Sequence, residues 1–430
     1  MKISIVGGGY VGLVSAVCFS ELGHSVNLVE VDAQKVKAIN LGRPPIYEKG
    51  LEEMLSAHAG RNLTAMSDYK CIPGSEIILI CVGTPQGPAG EADLSMVASC
   101  SKSIGAALRD CDGYHIVAVK STVPPGTTER LVQSTVLSQS SKGINEEAKV
   151  SHDIGFVVNP EFLREGLAVQ DFMNPDRIVV GSSDQKAGDI FQEVYSDLEA
   201  PLVRTSLTAA EMIKYASNAF LATKISFSNE IGNICKRLGI DVYEVMKGVG
   251  LDHRINPHFL NAGAGFGGSC IPKDVSALVH LAQETGEDPI LLKSVVEVNE
   301  LQPLRIIELL EKKTGDLSGK HVAILGLAFK NDTDDARESR AIPVITELKK
   351  RGAQVKAYDP KANSSMGKIF SNIDYCSRAD EALKDADACI IMTEWPQFGQ
   401  LDKEFDLMRS RVIIEARRIL SCKDAEGICW

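Results

Sequence analysis

Residues 2–31 read KISIVGGGYVGLVSAVCFSELGHSVNLVEV, and this stretch decides the fold. Lys2 to Val6 is an apolar run of strand length, Leu13 to Leu22 is apolar at helical period and closed by Gly23 and His24, and Ser25 to Val31 is a second strand. Between the first two elements stands G-x-G-x-x-G, at Gly7, Gly9 and Gly12. In such a βαβ setting the first glycine makes the turn, the second lets backbone approach a pyrophosphate, and the third allows close helix packing. Glu30 follows near the end of the second strand, where a carboxylate can accept hydrogen bonds from both ribose hydroxyls and repel a 2′-phosphate. The pattern predicts NAD rather than NADP, with Lys35 placed to soften that repulsion.

Further apolar runs extend this plan. Glu76 to Val82 ends in GTP, His115 to Val119 ends in KSTVPPG, and Phe156 to Asn159 and Ile178 to Gly181 also read as strands. Strands that run into Gly, Thr and Pro loops suit a parallel doubly wound sheet with its ligand at the carboxyl ends. Thr208 to Gly239 keeps a helical period without proline, interrupted only by Gly232, and predicts one long helix of the kind that links domains or builds a dimer interface. More helix is expected to about Val249, from Pro272 to Glu284, and from Leu291 to Glu311 with a break at Pro303. Beyond GDLSG at Gly315 to Gly319 the first pattern returns. GAQVKAYDP matches GHSVNLVEVD and DACIIMTEWP matches EIILICVGTP, so the α/β plan is duplicated. The copy keeps only Gly326 of the three glycines, so it is not expected to hold a pyrophosphate in the same way. The expected class is α/β, with two Rossmann-like doubly wound domains, 1–203 and 315–430, joined by a central helical region, 204–314.

Composition narrows the function. A chain of 430 residues predicts two or three domains, and 24% charged with 44% apolar residues is ordinary for a folded soluble protein. Forty-six basic against fifty-seven acidic side chains give a net charge of −11, the wrong sign for a nucleic-acid or membrane-surface partner. Eleven cysteines are scattered singly from Cys18 to Cys429, without C-x-x-C or a metal-ligand spacing that includes histidine. That usage predicts free thiols in a reducing, cytoplasmic setting and no metal. No apolar window is long enough for a transmembrane helix. The N-terminus reads as a strand rather than a secretion signal, because cleavage near Cys18 would discard all three glycines.

The sharpest chemical signal is GAGFGGSCIPKD, Gly263 to Asp274. A flexible glycine loop delivers Cys270 to a helix start that Pro272 suits, where backbone N–H groups favour a thiolate. Asp274 lies four residues on, on the same face. A thiol beside a carboxylate suits covalent attack on a carbonyl followed by hydrolysis; the alternative is a structural cysteine with Asp as a favourable first-turn residue. On the long helix Lys214 and Asn218 stand at i and i+4, with Glu211 three residues earlier. The pair either faces an active site, where an ammonium and an amide stabilise an oxyanion, or forms a solvated face. In NPEFLREG, Glu161 and Glu165 serve as base and cofactor contact or as helix-start carboxylates, and spacing does not choose.

Taken in order, GGGYVGL, CVGTP, KSTVPPGT, NPEFLREG, EMIKYASNAFLATKISFSNE, FGGSCIPKD and GLAFKNDTDDARES strongly resemble the UDP-glucose/GDP-mannose dehydrogenase family, from Met1 to about Trp395. NAFLATKISF and TEWPQF look more like the branch acting on UDP-glucose than the one acting on GDP-mannose. Arg340 departs from the family pattern, standing where relatives often have proline. The resemblance implies a four-electron oxidation of a sugar C6 alcohol to a carboxylate with two NAD⁺, in a homodimer or larger homo-oligomer, with UDP-glucose as substrate and a GDP-sugar or another UDP-hexose as the alternative. It makes Cys270 the nucleophile, places Lys214 and Asn218 around the oxyanion, and gives Asp274 and Thr122 to the hydrolytic water, with Glu161 a competing base. Tyr10, Val11, Thr84, Glu165 and Arg337 join the glycines on the cofactor side. Phe162, Leu163, Gly267, Phe329 and Lys330 fall to the substrate, with Phe259, Leu260, Asn261 and Gly263 as the loop around its diphosphate. Arg254 resembles an arginine that reaches the substrate of a neighbouring subunit.

Overall fold

The computed structural model describes residues 1–140, 154–421 and 424–430. The chain forms two compact units, Met1–Ser217 and Asn218–Trp430.

In the first unit eight strands make one sheet: β1 Lys2–Val6, β2 Ser25–Val29, β3 Leu63–Met66, β4 Ile77–Ile80, β5 His115–Val119, β6 Ile154–Val158, β7 Ile178–Ser182 and β8 Leu202–Thr205. Their order is β3-β2-β1-β4-β5-β6-β7-β8. The pairing is parallel except between β6 and β7, which run antiparallel, so the sheet is mixed rather than wholly parallel. Alternate residues of each central strand enter opposite cores. Ile3, Ile5, Leu79 and Ala118 pack on one face, and Val6, Ile78, Ile80 and Val119 on the other. Burial on both faces is why these strands read as continuous apolar runs rather than as alternation.

Register then sets the site. Val6 pairs with both Val29 and Ile80, Ile80 with Val119, and Val119 with Val158, so five strands end level. The strand order reverses its progression across the sheet between the parallel strands β1 and β4, the switch point at which such sheets bind ligands. Gly7 leaves β1 at φ +107°, and a Cβ there would meet the Cys81 carbonyl oxygen at 2.7 Å. The helix Tyr10–Glu21 follows, packed so closely that a Cβ on Gly12 would lie 1.8 Å from the Gly7 carbonyl oxygen.

The long helix runs Leu207–Leu238, unbroken at Gly232, and the unit boundary falls within it. The second unit continues with helices Val242–Gly250, Ile271–Glu284 and Ile290–Thr314. Pro303 does not break the last of these. With Gln302, Ile306, Ile307 and Leu310 it lies on the buried face, and that packing outweighs the lost backbone bond. No helix among the described residues is long and apolar enough to cross a membrane.

The sequence duplication appears here as a second sheet of parallel strands, in the order β11-β10-β9-β12-β13-β14. Its strands are β9 His321–Leu325, β10 Gln354–Tyr358, β11 Asp374–Tyr375, β12 Ala388–Ile391, β13 Ile413–Glu415 and β14 Ala425–Gly427. The neighbourhood β10-β9-β12 repeats β2-β1-β4, and Asp359 follows β10 as Glu30 follows β2. Asp359 is consumed internally. One oxygen accepts from Leu327 N (2.7 Å), Ala328 N (3.0 Å) and Trp395 Nε1 (3.1 Å), the other from Lys361 N and Ala362 N at 2.8 Å. The turn after β9 is thereby closed around its own carboxylate. Removing that acceptor orphans several buried donors, so Asp359→Ala is expected to lower stability by roughly 3 kcal/mol. Urea unfolding followed by Trp395 fluorescence, in a Trp430→Phe background, measures it; an unchanged midpoint contradicts the role.

Candidate active site

In the first unit the loops after the level strand ends carry the polar side chains. Glu30 is buried, its carboxylate accepting from Gly8 N (3.1 Å) and Asp32 N (3.0 Å), with Lys35 Nζ at 4.0 Å. Backbone at Gly9 faces open space, with nothing within 4 Å of the position a Cβ would take. An open glycine at a helix start beside a carboxylate fits a dinucleotide pyrophosphate and ribose. Thr84 Oγ1 donates to the Thr122 carbonyl at 2.9 Å, joining two residues expected in the site.

NPEFLREG is a loop rather than a helix start; the helix Ala168–Met173 begins after it. Glu161 accepts from Leu163 N at 2.6 Å and pairs with Lys214 Nζ at 3.0 Å, both side chains almost fully buried. Burial by itself pushes the Glu161 carboxyl up, but Lys214, the Leu163 N–H and Lys120 outweigh it and hold the group below the usual carboxylate range. Phe162 lies under two cations, the Arg177 guanidinium at 3.6 Å and Lys214 Nζ at 5.4 Å. Glu211, on the helix of Lys214, accepts from Gly126 N, Thr128 N (2.8 Å) and Thr128 Oγ1 (2.6 Å), fastening the loop that follows Thr122.

In the second unit Cys270 stands at the start of Ile271–Glu284, half-buried, with Ser269 Oγ 3.6 Å from its sulfur. Asp274 is 1% exposed and accepts from Asn218 Nδ2 at 2.6 Å and from Lys273 Nζ. Asn218 is therefore no solvated residue. The glycine loop before Cys270 is pinned, not flexible. Gly263 N donates to Asn229 Oδ1 (2.7 Å), Phe266 N to Asn299 Oδ1 (2.7 Å), and Gly268 N to the Arg337 carbonyl (3.1 Å). A Cβ on Gly267 would strike the Glu338 carbonyl oxygen at 2.2 Å, and one on Gly268 the Phe329 ring at 2.8 Å. Glycine here buys close backbone approach, not mobility. Arg340, the departure from the family pattern, is buried beside this loop and bridges Glu300 (2.9 Å) and Glu338 (3.4 Å).

The remaining expected residues are placed more loosely. Asn256 and Phe259 both hold left-handed backbone, φ +66° and +65°, just before buried Leu260 and exposed Asn261. Strain of this kind gathers at ligand loops. Arg254 and Arg337 are exposed and folded onto their neighbours Asp252 and Asp335. Lys330 is half-buried beside Phe329. Three residues escaped sequence reasoning. Lys120 is buried against Asn159 Oδ1 (2.9 Å) and Tyr195 OH (3.3 Å), and burial pushes its ammonium down to about 8. Its one sequence signal is a lysine ending an apolar strand. Lys273 adjoins Asp274 in sequence, and Glu48 lies in a loop with no signal at all.

A dinucleotide-type turn and a thiol at a helix start, carried by one chain with a duplicated α/β plan, define a dehydrogenase-like protein with covalent capacity. The family model for the NAD binding domain of the UDP-glucose/GDP-mannose dehydrogenase family matches residues 1–199, its central domain 208–301 and its UDP binding domain 323–422. This chain belongs to the UDP-glucose/GDP-mannose dehydrogenase family. It is 44% identical to the UDP-glucose 6-dehydrogenase AglM of Haloferax volcanii over 429 residues, 99% of this chain and 98% of that protein. It is 44% identical to the UDP-glucose 6-dehydrogenase TuaD of Bacillus subtilis, covering 99% and 91%. The structure of a UDP-glucose dehydrogenase from Pyrobaculum islandicum superposes with a TM-score of 0.94 at 41% identity, covering 100% and 98%.

Ten of the eleven cysteines lie in the described residues, all as free thiols. Burial pushes Cys18, Cys81, Cys100 and Cys429 up to about 12 and raises Cys71, Cys376 and Cys389 as well. Iodoacetamide at about pH 7 is therefore expected to label Cys270 ahead of these seven. Peptide mapping by mass spectrometry reads the order, and labelling of any of the seven first removes the case for a reactive Cys270.

Proposed function

We propose that the chain oxidises the C6 alcohol of UDP-glucose to the carboxylate of UDP-glucuronate in two NAD⁺-dependent steps. The observation that carries this reading is the buried Asn218–Asp274 hydrogen bond one helical turn beyond Cys270, in a chain of this family. Gly7, Gly9, Gly12, Tyr10, Val11, Glu30, Lys35, Thr84, Glu165 and Arg337 hold the dinucleotide, with Glu30 selecting NAD over NADP. Bound NAD⁺ supplies the hydride acceptor.

The chain's own residues do the rest. Loss of one hydride and one proton takes the alcohol to the aldehyde. The Cys270 thiolate adds to that carbonyl to give a thiohemiacetal, and loss of the second hydride leaves a thioester. Water then cleaves the C–S bond, releasing the acid and the thiol, so four electrons leave as two hydrides. Lys214 and Asn218 stabilise the oxyanions. Asp274 with Thr122 activates the water, with Glu161 the competing base, and the buried Glu161–Lys214 pair holds that ammonium in place. Phe162, Leu163, Gly267, Phe329 and Lys330 line the sugar side, and Phe259, Leu260, Asn261 and Gly263 offer the diphosphate a backbone-rich loop.

The same reading divides the chain at 1–203, 204–314 and 315–430, which the three family models support, and places it in the cytoplasm as a homodimer. Phe220, Phe227 and Ile234 support the dimer, being exposed at seven-residue spacing along the long helix. Arg254 then serves a neighbouring subunit's substrate. Phe220→Glu with Phe227→Glu is expected to convert the dimer to monomers by light scattering and to lower activity; an unchanged mass places the interface elsewhere.

Wild-type protein is expected to make two NADH for each UDP-glucose consumed and to prefer it to GDP-mannose side by side. One NADH would indicate an ordinary two-electron dehydrogenase, none a nucleotide-sugar sensor. Cys270→Ala should keep its melting temperature yet lose roughly a thousandfold or more in UDP-glucuronate formation. Wild-type turnover by that variant excludes the covalent route.

A further inference from the structure

The loop between helices Ala33–Asn40 and Leu51–His58 carries a carboxylate that the reaction leaves unused. Glu48 is 5% exposed and stands where three distant segments meet. Its Oε2 accepts from Gly166 N at 2.7 Å and from the Tyr10 hydroxyl, and its Oε1 accepts from Ala168 N at 2.9 Å. The Tyr10 oxygen itself lies 3.1 Å from Gly166 N, so phenol, carboxylate and backbone form one closed cluster. Gly166 holds φ +83°, a left-handed turn that aims its N–H at the cluster. Ala168 opens the helix Ala168–Met173, whose preceding residue Leu167 has no side-chain acceptor, and Glu48 takes that part from 120 residues away.

We infer that Glu48 is a positioning residue for the cofactor, holding the start of the pyrophosphate-binding helix and the 161–168 loop in one arrangement before the dinucleotide arrives. The inference rests on the reading of Gly7–Gly12 as the dinucleotide site. Tyr10 is the first residue of the helix whose free N–H groups face the pyrophosphate, and it follows open Gly9 directly. Gly166 and Ala168 end the loop that presents Glu161 to Lys214. Local sequence couples neither segment to the other; the partners of Glu48 lie 38, 118 and 120 residues away. A site ordered in advance spends less binding free energy on ordering itself. Loss of the carboxylate therefore falls on NAD⁺ affinity first and leaves the chemical step at saturation largely intact.

The test is direct titration with NAD⁺ alone, by calorimetry, alongside steady-state kinetics and melting curves, for wild type, Glu48→Gln, Tyr10→Phe and the double variant. Glu48→Gln keeps the shape but turns one acceptor into a donor facing backbone N–H, so its NAD⁺ Kd is expected to rise about tenfold or more. The KM for UDP-glucose and the kcat at saturating NAD⁺ should stay near wild type. Tyr10→Phe should weaken NAD⁺ less, and the double variant should match Glu48→Gln alone, because the Tyr10 hydroxyl, the one group this substitution removes, acts through the carboxylate while the Tyr10 backbone stays in place. An NAD⁺ Kd within about twofold of wild type in folded Glu48→Gln overturns the inference. So does a parallel loss of melting temperature, kcat and both affinities, which marks a merely structural staple. Additive effects of the two substitutions overturn the coupling. If Glu48→Gln does not fold, Tyr10→Phe decides through the same Kd measurement. NAD⁺ titration needs no sugar, so a wild-type protein that binds NAD⁺ without oxidising UDP-glucose defeats the proposed reaction and leaves the question of Glu48 to be answered on its own terms.

Discussion

Five parallel strands that end level, at Val6, Val29, Ile80, Val119 and Val158, are the constraint from which the first unit's chemistry hangs. Each strand is buried on both faces, so a shift in register would carry core side chains out of both cores at once. With register locked, the residue after each strand is placed at a known height. Gly7, Glu30, Cys81, Lys120 and Asn159 occupy these positions, and the loops that continue from them bring Thr84 to Thr122 and Glu161 to Lys214. The apolar interior thus does the positioning, and the polar groups are its passengers.

Buried carboxylates do the finer work in both units. Glu161, Glu211 and Glu48 in the first unit, and Asp274 and Asp359 in the second, are each nearly or fully enclosed, and each is met by two or more donors. An enclosed charge is tolerated only with such partners, which makes each carboxylate specify the geometry of the segments around it. Asp274 shows the consequence for chemistry. Its bonds to Asn218 and Lys273 hold an amide from the long helix against the helix that Cys270 begins, and the pinned glycine loop fixes the approach to that cysteine. The two α/β sheets diverge on the same principle. Glu30 borders an open glycine turn, whereas Asp359 closes its own turn with Trp395, so one plan keeps a dinucleotide cradle and its copy has filled it.

The sequence by itself determined whatever depends on local period and steric type. The central strands followed from uninterrupted apolar runs, the long helix from its period and lack of proline, the glycine turn from G-x-G-x-x-G, and the place of Cys270 at a helix start from the glycines and Pro272 around it. The duplication was legible because it repeats those local signals. What the tertiary structure alone decided depends on partners far away in the chain. The antiparallel pairing of β6 with β7, the helix that continues through Pro303, and the clamped rather than flexible loop at Gly263 to Gly268 all result from packing that overrides local preference. The choice of Asp274 as the partner of Asn218, the burial of Lys120 against Asn159 and Tyr195, and the gathering of Tyr10, Gly166 and Ala168 on Glu48 join residues 38 to 120 positions apart. A carboxylate or an ammonium looks the same in the sequence whether water or the protein solvates it, and only the folded chain shows which one does.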